Sequence, residues 1–560
     1  MRTSIMSILA LASLSIGALA HADDSALRDE LVSNLMFMKG VYSAEYAPAE
    51  WKKSYAGWDL TTQINLAVAD AQKPDLNLKG AQKILRNFIY SMKDYHTSIS
   101  FVSTETASLG FFAKGVNGKY FIQFIDRTKL PMDSFPFSVG DELVSFGDLP
   151  TAQAVALVQA EIPANIPSTD LALAELNLTR RRAARGLMVP QGPIMVQIKP
   201  QGSDKVRGLQ LIWDYTREQI MDPGFAQGIR TFSLGTVATP SLLRPKMSVD
   251  SGLVDAAPEN PFGLGTRKAF TPDLGTKIFE TASDDPFYAY IYKDANGKMI
   301  GYFRLPSYEA EDLPKAMASF ARIVGLFQAT TDSMIIDQVN NPGGSVLYLY
   351  ALASMLTDQP LYTPLHKMAI TQADVADALT QMAQFQNIKT DADAKKAMGD
   401  TVEGYPVSYE MSQFMMSYLR FVVSEWNAGR KLTSPYWIAG VDKINPAAVH
   451  YSKPILLLTN SLDFSGGDFF PAIMQDNKRV TVMGTRTAGA GGYVNDVTIP
   501  NNLGIAAFRV TESIAKRVDD NPIENLGIKP DVDYSFTEKD MTNNYSDYVR
   551  AIQTAASLLK

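Results

Sequence analysis

A serine stands at the junction between an apolar segment and a helix in the last third of the chain. Residues 454–459 predict a buried strand, residues 468–475 predict a helix, and Ser465 lies in the turn between them. A serine in such a turn has its Oγ beside the backbone N–H groups of a helix N-terminus, which can bind an anion or stabilise an oxyanion. The same position also suits a serine that only caps the helix, so the segment alone leaves both interpretations open.

A second turn of the same kind lies upstream. Residues 336–345 lead from an apolar strand through Asn340-Asn341-Pro342-Gly343-Gly344 into a helix. Paired glycines let the backbone approach a ligand closely and adopt positive φ. The turn lacks the Gly-Lys-Ser/Thr ending of a phosphate-binding loop, so on its own it assigns no chemistry.

A serine nucleophile needs a base, and the chain offers few. It has four histidines and no cysteine, which excludes a thiol nucleophile, a disulfide framework and a cysteine-based metal site. No His-Glu-x-x-His pattern occurs, and we expect neither a metal nor a cofactor. His21 lies near the N-terminus, which leaves His96 together with His366 and His450, two residues that we interpret as structural.

His96 lies at a boundary between two predicted elements. Apolar residues from Ala81 to Met92 recur at helical spacing, and residues 98–102 predict a strand, so His96 lies where a rigid helix ends. Such a boundary can hold a catalytic side chain in place. By itself this local pattern favours a capping or core histidine over a catalytic one.

Taken together, the turns resemble a known family. Asn340-Asn341-Pro342-Gly343-Gly344 and Phe464-Ser465-Gly466-Gly467-Asp468 are similar to signatures of the C-terminal processing peptidases, the tail-specific and tricorn-type serine proteases of the S41 type. Val139-Gly140-Asp141 resembles the core of that family's PDZ-like module, and Gly110-Phe111-Phe112 its carboxylate-binding loop. In the Ser–Lys branch a lysine lies in the glycine-rich turn at 487–491. Ala490 occupies that position here, which excludes that form of catalysis.

The resemblance is stronger to the branch of the chlamydial protease-like activity factor, which uses Ser, His and Glu. Asp94-Tyr95-His96 and residues 449–455, 463–471, 484–492 and 523–530 resemble its motifs. The resemblance implies Ser465 as nucleophile, His96 as base and Glu524 as the supporting carboxylate. The backbone N–H groups of Gly344 and Gly466 are our candidates for the oxyanion hole.

The resemblance further implies an exported serine endopeptidase that forms an acyl-enzyme. It also implies a zymogen whose internal segment is removed by self-cleavage, with formation of a homodimer. The alternative is a catalytically silent peptide- or ligand-binding protein on the same fold. The presence of Ser465, His96 and Glu524 together favours the protease.

The length of 560 residues predicts several domains. We expect an α+β multidomain protein whose α/β protease core is a crotonase-like ββα spiral. The predicted organisation is a signal peptide (1–22), an N-terminal helical region with His96 (23–104), a PDZ-like domain (105–215), an irregular connector that could be inhibitory (216–290), the protease core (291–536) with a helical insertion (371–435), and a C-terminal helix (537–560). Apolar residues in the connector indicate that it packs on something.

The ends and the charge of the chain bear on location and partners. Arg2, an apolar stretch and small residues before Asp23 are typical of a secretory signal, so we expect a periplasmic or secreted protein without stable membrane insertion. The net charge of −7 and interspersed signs argue against nucleic acid and leave protein or peptide substrates as expected partners. Arg180-Arg181-Arg182 is the one basic run, and we interpret it as a solvated helix end.

Overall fold

The N-terminal region is helical, as predicted. The computed structural model describes residues 4–219, 242–243, 245–249 and 260–559, with side chains from residue 25 onward except at 246. Four helices come first: Ser4–Glu45, Ala49–Ala56, Leu60–Ala71 and Leu78–Tyr90. Asn77 caps the fourth helix, and the predicted apolar stripe is buried at Ala81, Leu85 and Ile89. In the described part of the chain no helix is both long enough and apolar enough to cross a membrane.

A β-rich module follows. Its sheet contains, in spatial order, the strands Phe111–Val116, Lys119–Ile125, Glu142–Phe146, Pro193–Lys199 and Arg207–Ile212, with Leu149–Pro150 paired to the third. The helices Thr151–Gln159 and Pro167–Leu178 pack on it. Glu175 of the second helix accepts a hydrogen bond from the edge-strand N–H of Gly115 at 2.8 Å. This helix therefore satisfies part of the open edge that the first strand would otherwise present.

The arginine run is not a solvated helix end, and that prediction was wrong. Arg180–Arg182 is a half-buried strand that pairs with Thr106–Ser108, which in turn pairs with Asp214–Thr216. Burial lowers the pKa of all three guanidinium groups. Strand pairing rather than helix propensity decided the local structure, because the partner strand lies more than seventy residues upstream of the run.

The connector is less irregular than its composition predicts. It contains the strands Lys246–Ser248 and Lys277–Glu280, and its C-terminal end runs into the strand Ala289–Lys293. Leu242, Met247 and Phe262 are buried, which confirms that its apolar residues pack against the rest of the protein. The stretches 220–241 and 250–259 of this prediction lie outside the described residues, as does residue 244.

The protease core is built on a seven-stranded sheet. Its order is Lys277–Glu280, Ala289–Lys293, Met299–Arg304, Ser333–Asp337, Ile455–Thr459, Thr481–Gly484 and Val532–Asp533. The last five strands are parallel, as the alternation of strands and helices predicted. Met334 and Ile336 belong to one apolar cluster and Ile335 to another, so both faces of this sheet are covered.

Three helices follow strands of this sheet or lead into them. They span Leu313–Thr330, Val346–Ser354 and Gly466–Asp476. The smaller strand groups pair Ile99–Phe101 and Val494–Val497 with Ile505–Thr511, Leu365–Met368 with Tyr436–Trp437 and Ser513–Lys516, and Leu361–Tyr362 with Lys443–Ile444.

The helical insertion consists of Gln372–Phe385, Asp391–Met398 and Tyr409–Asn427, with a short hairpin of Thr401–Val402 and Tyr405–Pro406. Met411, Met415 and Leu419 are buried, so this Met-rich stretch is core. The C-terminal end is two helices, Glu538–Thr542 and Ser546–Ser557, rather than the single helix predicted. Tyr545 separates them with φ of 56°, a left-handed conformation that a continuous helix cannot contain.

Candidate active site

Ser465 occupies a strained turn between a strand and a helix. It immediately precedes the helix Gly466–Asp476 and has φ of 59° and ψ of −110°. A non-glycine residue in such a conformation costs roughly 1–3 kcal/mol and persists only where the surroundings enforce it. A sharp strand–turn–helix of this kind presents a nucleophile away from the sheet. The strained backbone therefore indicates that Ser465 does more than connect the strand to the helix.

His96 lies within hydrogen-bonding distance of this serine. Its Nε2 is 2.6 Å from Ser465 Oγ, and both side chains are fully buried. The two residues are 369 positions apart in the chain, and the strand Ile99–Phe101 brings them together by pairing with Ile505–Thr511 of the C-terminal part. The Asp94 carboxylate fixes the turn by accepting the backbone N–H of His96 at 2.8 Å.

Burial keeps the imidazole neutral. The pKa of His96 is lowered to about 4: burial is the main cause, Asp94 raises the pKa, and the cations of Arg509 and Lys52 add to the lowering. His96 Nδ1 has no hydrogen-bond partner in the described residues. A neutral imidazole can accept the serine proton, but one with so low a pKa is a weak base.

Glu524 lies beside His96 without bonding to it. Oxygen and nitrogen atoms of Asp94, His96 and Glu524 lie within 4.8 Å of one another. The Glu524 carboxylate instead forms an ion pair with Lys52 and accepts the Gly491 N–H at 3.1 Å. Burial and the charge of Asp94 raise the pKa of Glu524, and Lys52 lowers it.

The three groups form a set that could bind a metal ion, but their other contacts fit acid–base chemistry better. Lys52 already neutralises the charge of Glu524, and Ser465 is bound to Nε2 of His96. A cation at this position would be repelled by the buried ammonium.

The two predicted oxyanion donors lie on turns that meet at Ser465. Gly343 and Gly344 have φ of 95° and 153°. A Cβ on Gly344 would lie 2.1 Å from the Tyr308 carbonyl carbon and oxygen, and one on Gly343 would lie 2.8 Å from the Gly466 nitrogen. Only glycine allows this close approach, which packs the upstream turn against the nucleophile turn.

Asp468 holds the nucleophile turn to the downstream turn. Its carboxylate accepts hydrogen bonds from the N–H groups of Ser465, Gly489 and Ala490 at 2.8, 2.8 and 2.9 Å, and from the Thr487 hydroxyl at 2.5 Å. Burial raises its pKa to about 7, and these hydrogen bonds counteract the rise. Ala490, where the Ser–Lys branch has its lysine, thus contributes only a backbone N–H here.

A strand of the connector lies against the oxyanion turn. Lys246–Ser248 pairs antiparallel with Gly343–Ser345, with Met247 opposite Gly344. The Val249 N–H donates to the Pro342 carbonyl at 3.0 Å, and Arg509 donates to the Ser248 carbonyl at 3.0 Å. The site of Ser465 is therefore closed in this structure by a segment of the same chain.

The remaining histidines lie elsewhere. His366 is buried, contacts Ser513 Oγ at 3.3 Å through Nδ1 and has its pKa lowered to about 3 by burial. His450 contacts the Ala447 carbonyl at 2.7 Å. Each makes its polar contact away from Ser465.

The structure thus brings together Ser465, His96, Glu524, Gly344 and Gly466, whose individual roles stay predictions. Sequence reasoning assigned no role to Lys52, Asp94 or Arg509. Asp94 was visible only as part of the histidine motif, and nothing in the sequence distinguishes Lys52 from the exposed Lys53 beside it.

Comparisons with known proteins relate this chain to a family. A PDZ domain model matches residues 105–220, and the model of peptidase family S41 matches residues 299–534. An uncharacterized protein of Chlamydia muridarum is 34% identical over 99% of this chain and 97% of its own length. Two solved structures are each 32% identical with a TM-score of 0.82. Mature CPAF covers 94% of this chain and 97% of its own, and mature CPAF complexed with lactacystin covers 95% and 99%. The chain therefore belongs to peptidase family S41 and is a CPAF-like serine protease.

Proposed function

We propose that the protein is an exported serine endopeptidase with Ser465, His96 and Glu524 as its triad, made as a self-processing zymogen. The observation that carries the proposal is the 2.6 Å contact between His96 Nε2 and Ser465 Oγ inside a buried site. A serine becomes a useful nucleophile only when a base can take its proton, and this pair meets that requirement.

The chemistry is acyl transfer. Ser465 Oγ attacks the scissile carbonyl carbon while His96 Nε2 accepts its proton, and the carbonyl π electrons move onto the oxygen. The N–H groups of Gly344 and Gly466 then stabilise the oxyanion, an effect worth roughly 3 kcal/mol per donor. His96 returns the proton to the departing amine, and water hydrolyses the resulting ester by the same route. The Glu524 carboxylate favours the imidazolium that forms in between.

The connector strand supports latency. Met247 is fully buried against the oxyanion turn, so a substrate backbone has no access to that position. Desolvation is the main cause of the low pKa of His96, and removal of the segment would admit water and raise that pKa toward its ordinary value. Cleavage within 216–290 would then both open the site and strengthen the base. The two similar solved structures are of mature CPAF, a description that supports a processed form of this protein.

Export and dimerisation are proposed from the sequence. The N-terminal composition supports export to the periplasm or beyond, and the resemblance supports a homodimer. The alternative function, a silent peptide-binding protein, keeps one supporting feature. The module matched by the PDZ model contains Gly110-Phe111-Phe112 beside an arginine-lined cavity.

Labelling with a fluorophosphonate separates the two functions. We expect the wild-type protein to be labelled after limited proteolysis of 216–290, and the Ser465→Ala and His96→Ala variants to stay unlabelled. Ser461→Ala, in the same turn, is the matched control and should label normally. Lactacystin, which CPAF binds, should compete with the label. An unlabelled wild type after proteolysis would leave the silent binder as the better function.

Self-processing has its own test. Wild-type protein should be cut within 216–290 on incubation, whereas Ser465→Ala should remain intact. Equal cleavage of both would show that another protease removes the segment.

A further inference from the structure

A lysine is buried where the N-terminal helices meet the active site. Lys52 has no exposed surface and is the only residue of the helix Ala49–Ala56 that is fully buried. Lysine is rarely buried in this way unless its charge is paired. Its neighbour Lys53 is exposed, so the helix presents one lysine to solvent and one to the site.

Each of the three ammonium hydrogens of Lys52 has an acceptor. The group forms an ion pair with Glu524 and donates to the Lys93 carbonyl at 2.7 Å and to Asn525 Oδ1 at 2.8 Å. Lys93 lies three residues before His96, and Asn525 directly follows Glu524. Asn525 Nδ2 also donates to the Lys93 carbonyl at 2.7 Å, which closes the bridge between these two segments.

The two carboxylates near Lys52 require a cation close by if both are to stay ionised. Asp94 and Glu524 are both fully buried and lie beside the same imidazole. Two carboxylates in a dry site disfavour each other's ionisation, so one of them takes up a proton unless a cation is close. Arg509 pairs with Asp496, whereas Lys52 contacts Glu524 directly. Tyr46 adds a hydroxyl to Asp94 at 3.1 Å and no charge.

We propose that Lys52 is a positioning residue of the active site: its ammonium keeps Glu524 ionised beside His96 and ties the loop of Glu524 to the turn of His96. A protonated Glu524 could not stabilise the imidazolium, so loss of Lys52 would disable the triad while leaving its three members in place. This inference rests on the proposed function, because it assigns Lys52 a part in that reaction.

The pH profile of activity separates this role from a merely structural one. In the Lys52→Met variant the pKa of Glu524 rises, and that of His96 rises too because a neighbouring cation is lost. Both changes move the acidic limb of kcat/KM to higher pH. We expect a shift of at least about one pH unit, with a loss of tenfold or more at pH 6 that shrinks at pH 9.

The controls are Lys53→Met and Glu524→Gln. Lys53→Met should reproduce the wild-type profile, and Glu524→Gln should be slow at every pH because its side chain cannot ionise. A Lys52→Met variant with an unmoved acidic limb, whether its activity is normal or uniformly reduced, would overturn the proposal.

A second measurement needs no activity and uses the Ser465→Ala background, which also prevents self-cleavage. A buried carboxylate with a raised folded-state pKa loses its contribution to stability as pH rises through that value. The deficit in Tm caused by Lys52→Met should therefore grow from pH 5 to pH 8. A deficit of the same size at each pH would indicate lost hydrogen bonds only and contradict the inference. Failure of wild-type labelling would instead count against the proposed function.

Discussion

The nucleophile side and the base side of the active site are built in different ways. Ser465 and the glycine turn at 343–344 follow adjacent parallel strands, Ile455–Thr459 and Ser333–Asp337, whose C-terminal ends lie at the same edge of the sheet. The base side joins His96 from the N-terminal region, Glu524 from the C-terminal part and Lys52 from a separate helix. The first side follows from sheet topology, whereas the second exists only when distant segments pack together.

The largest expected effect comes from breaking either side completely. Ser465→Ala and His96→Ala should each reduce kcat/KM by about 10³-fold or more, and the double variant should lose no further activity, because the two residues act in one step. Hydrolysis of casein by the processed protein measures this. Additive losses in the double variant would show that the two sides do not work as a unit.

A smaller loss is expected when only the oxyanion turn is displaced. Gly344→Ala would place a Cβ 2.1 Å from the Tyr308 backbone, so the turn must shift and one donor is misplaced. We expect about a 10²- to 10³-fold loss in kcat with little change in KM. Gly40→Ala is the control, since no atom lies within 4 Å of its added Cβ. A normal kcat for Gly344→Ala would remove this turn from the oxyanion hole.

Asp94→Asn tests the base side without replacing any of the three triad residues. Asp94 accepts hydrogen bonds from His96 N–H, Tyr46 Oη and Thr511 Oγ1, and an amide nitrogen cannot accept in its place. We expect roughly a tenfold loss of activity and about 1–3 kcal/mol of destabilisation. Because Asp94 raises the pKa of His96, its loss should move the acidic limb to lower pH, opposite to Lys52→Met. An acidic limb that moves to higher pH in Asp94→Asn would contradict this electrostatic account.

The smallest effect should come from weakening the helix that precedes His96. Asn77 Oδ1 accepts the Gly80 N–H at 2.9 Å at the start of Leu78–Tyr90. Asn77→Ala should destabilise the protein by about 1 kcal/mol in denaturant unfolding and leave kcat unchanged. Lys79→Ala, exposed in the same turn, should change neither. A large loss of activity in Asn77→Ala would mean that the helix end controls His96 directly.

Prediction from the sequence succeeded where the signal is local. The strand–turn–helix around Ser465 and the apolar stripe from Ala81 to Met92 were predicted, because periodicity and turn residues lie within one element. The parallel strands were predicted from the alternation of strands and helices along the chain. It failed at Arg180–Arg182 and in the connector, where pairing with distant strands decides the structure. No local pattern reports such pairing.

The sequence by itself determined which residues could do the chemistry: Ser465 at a helix start, three histidines beyond the N-terminal segment, no cysteine, and the motifs of an S41 protease. Tertiary structure decided how they are connected. It placed His96 against Ser465, covered the oxyanion turn with the connector strand and paired Glu524 with Lys52. The contacts of His96 with Ser465 and of Lys52 with Glu524 span 369 and 472 positions of the chain. Burial at their meeting point sets the pKa values on which the reaction depends.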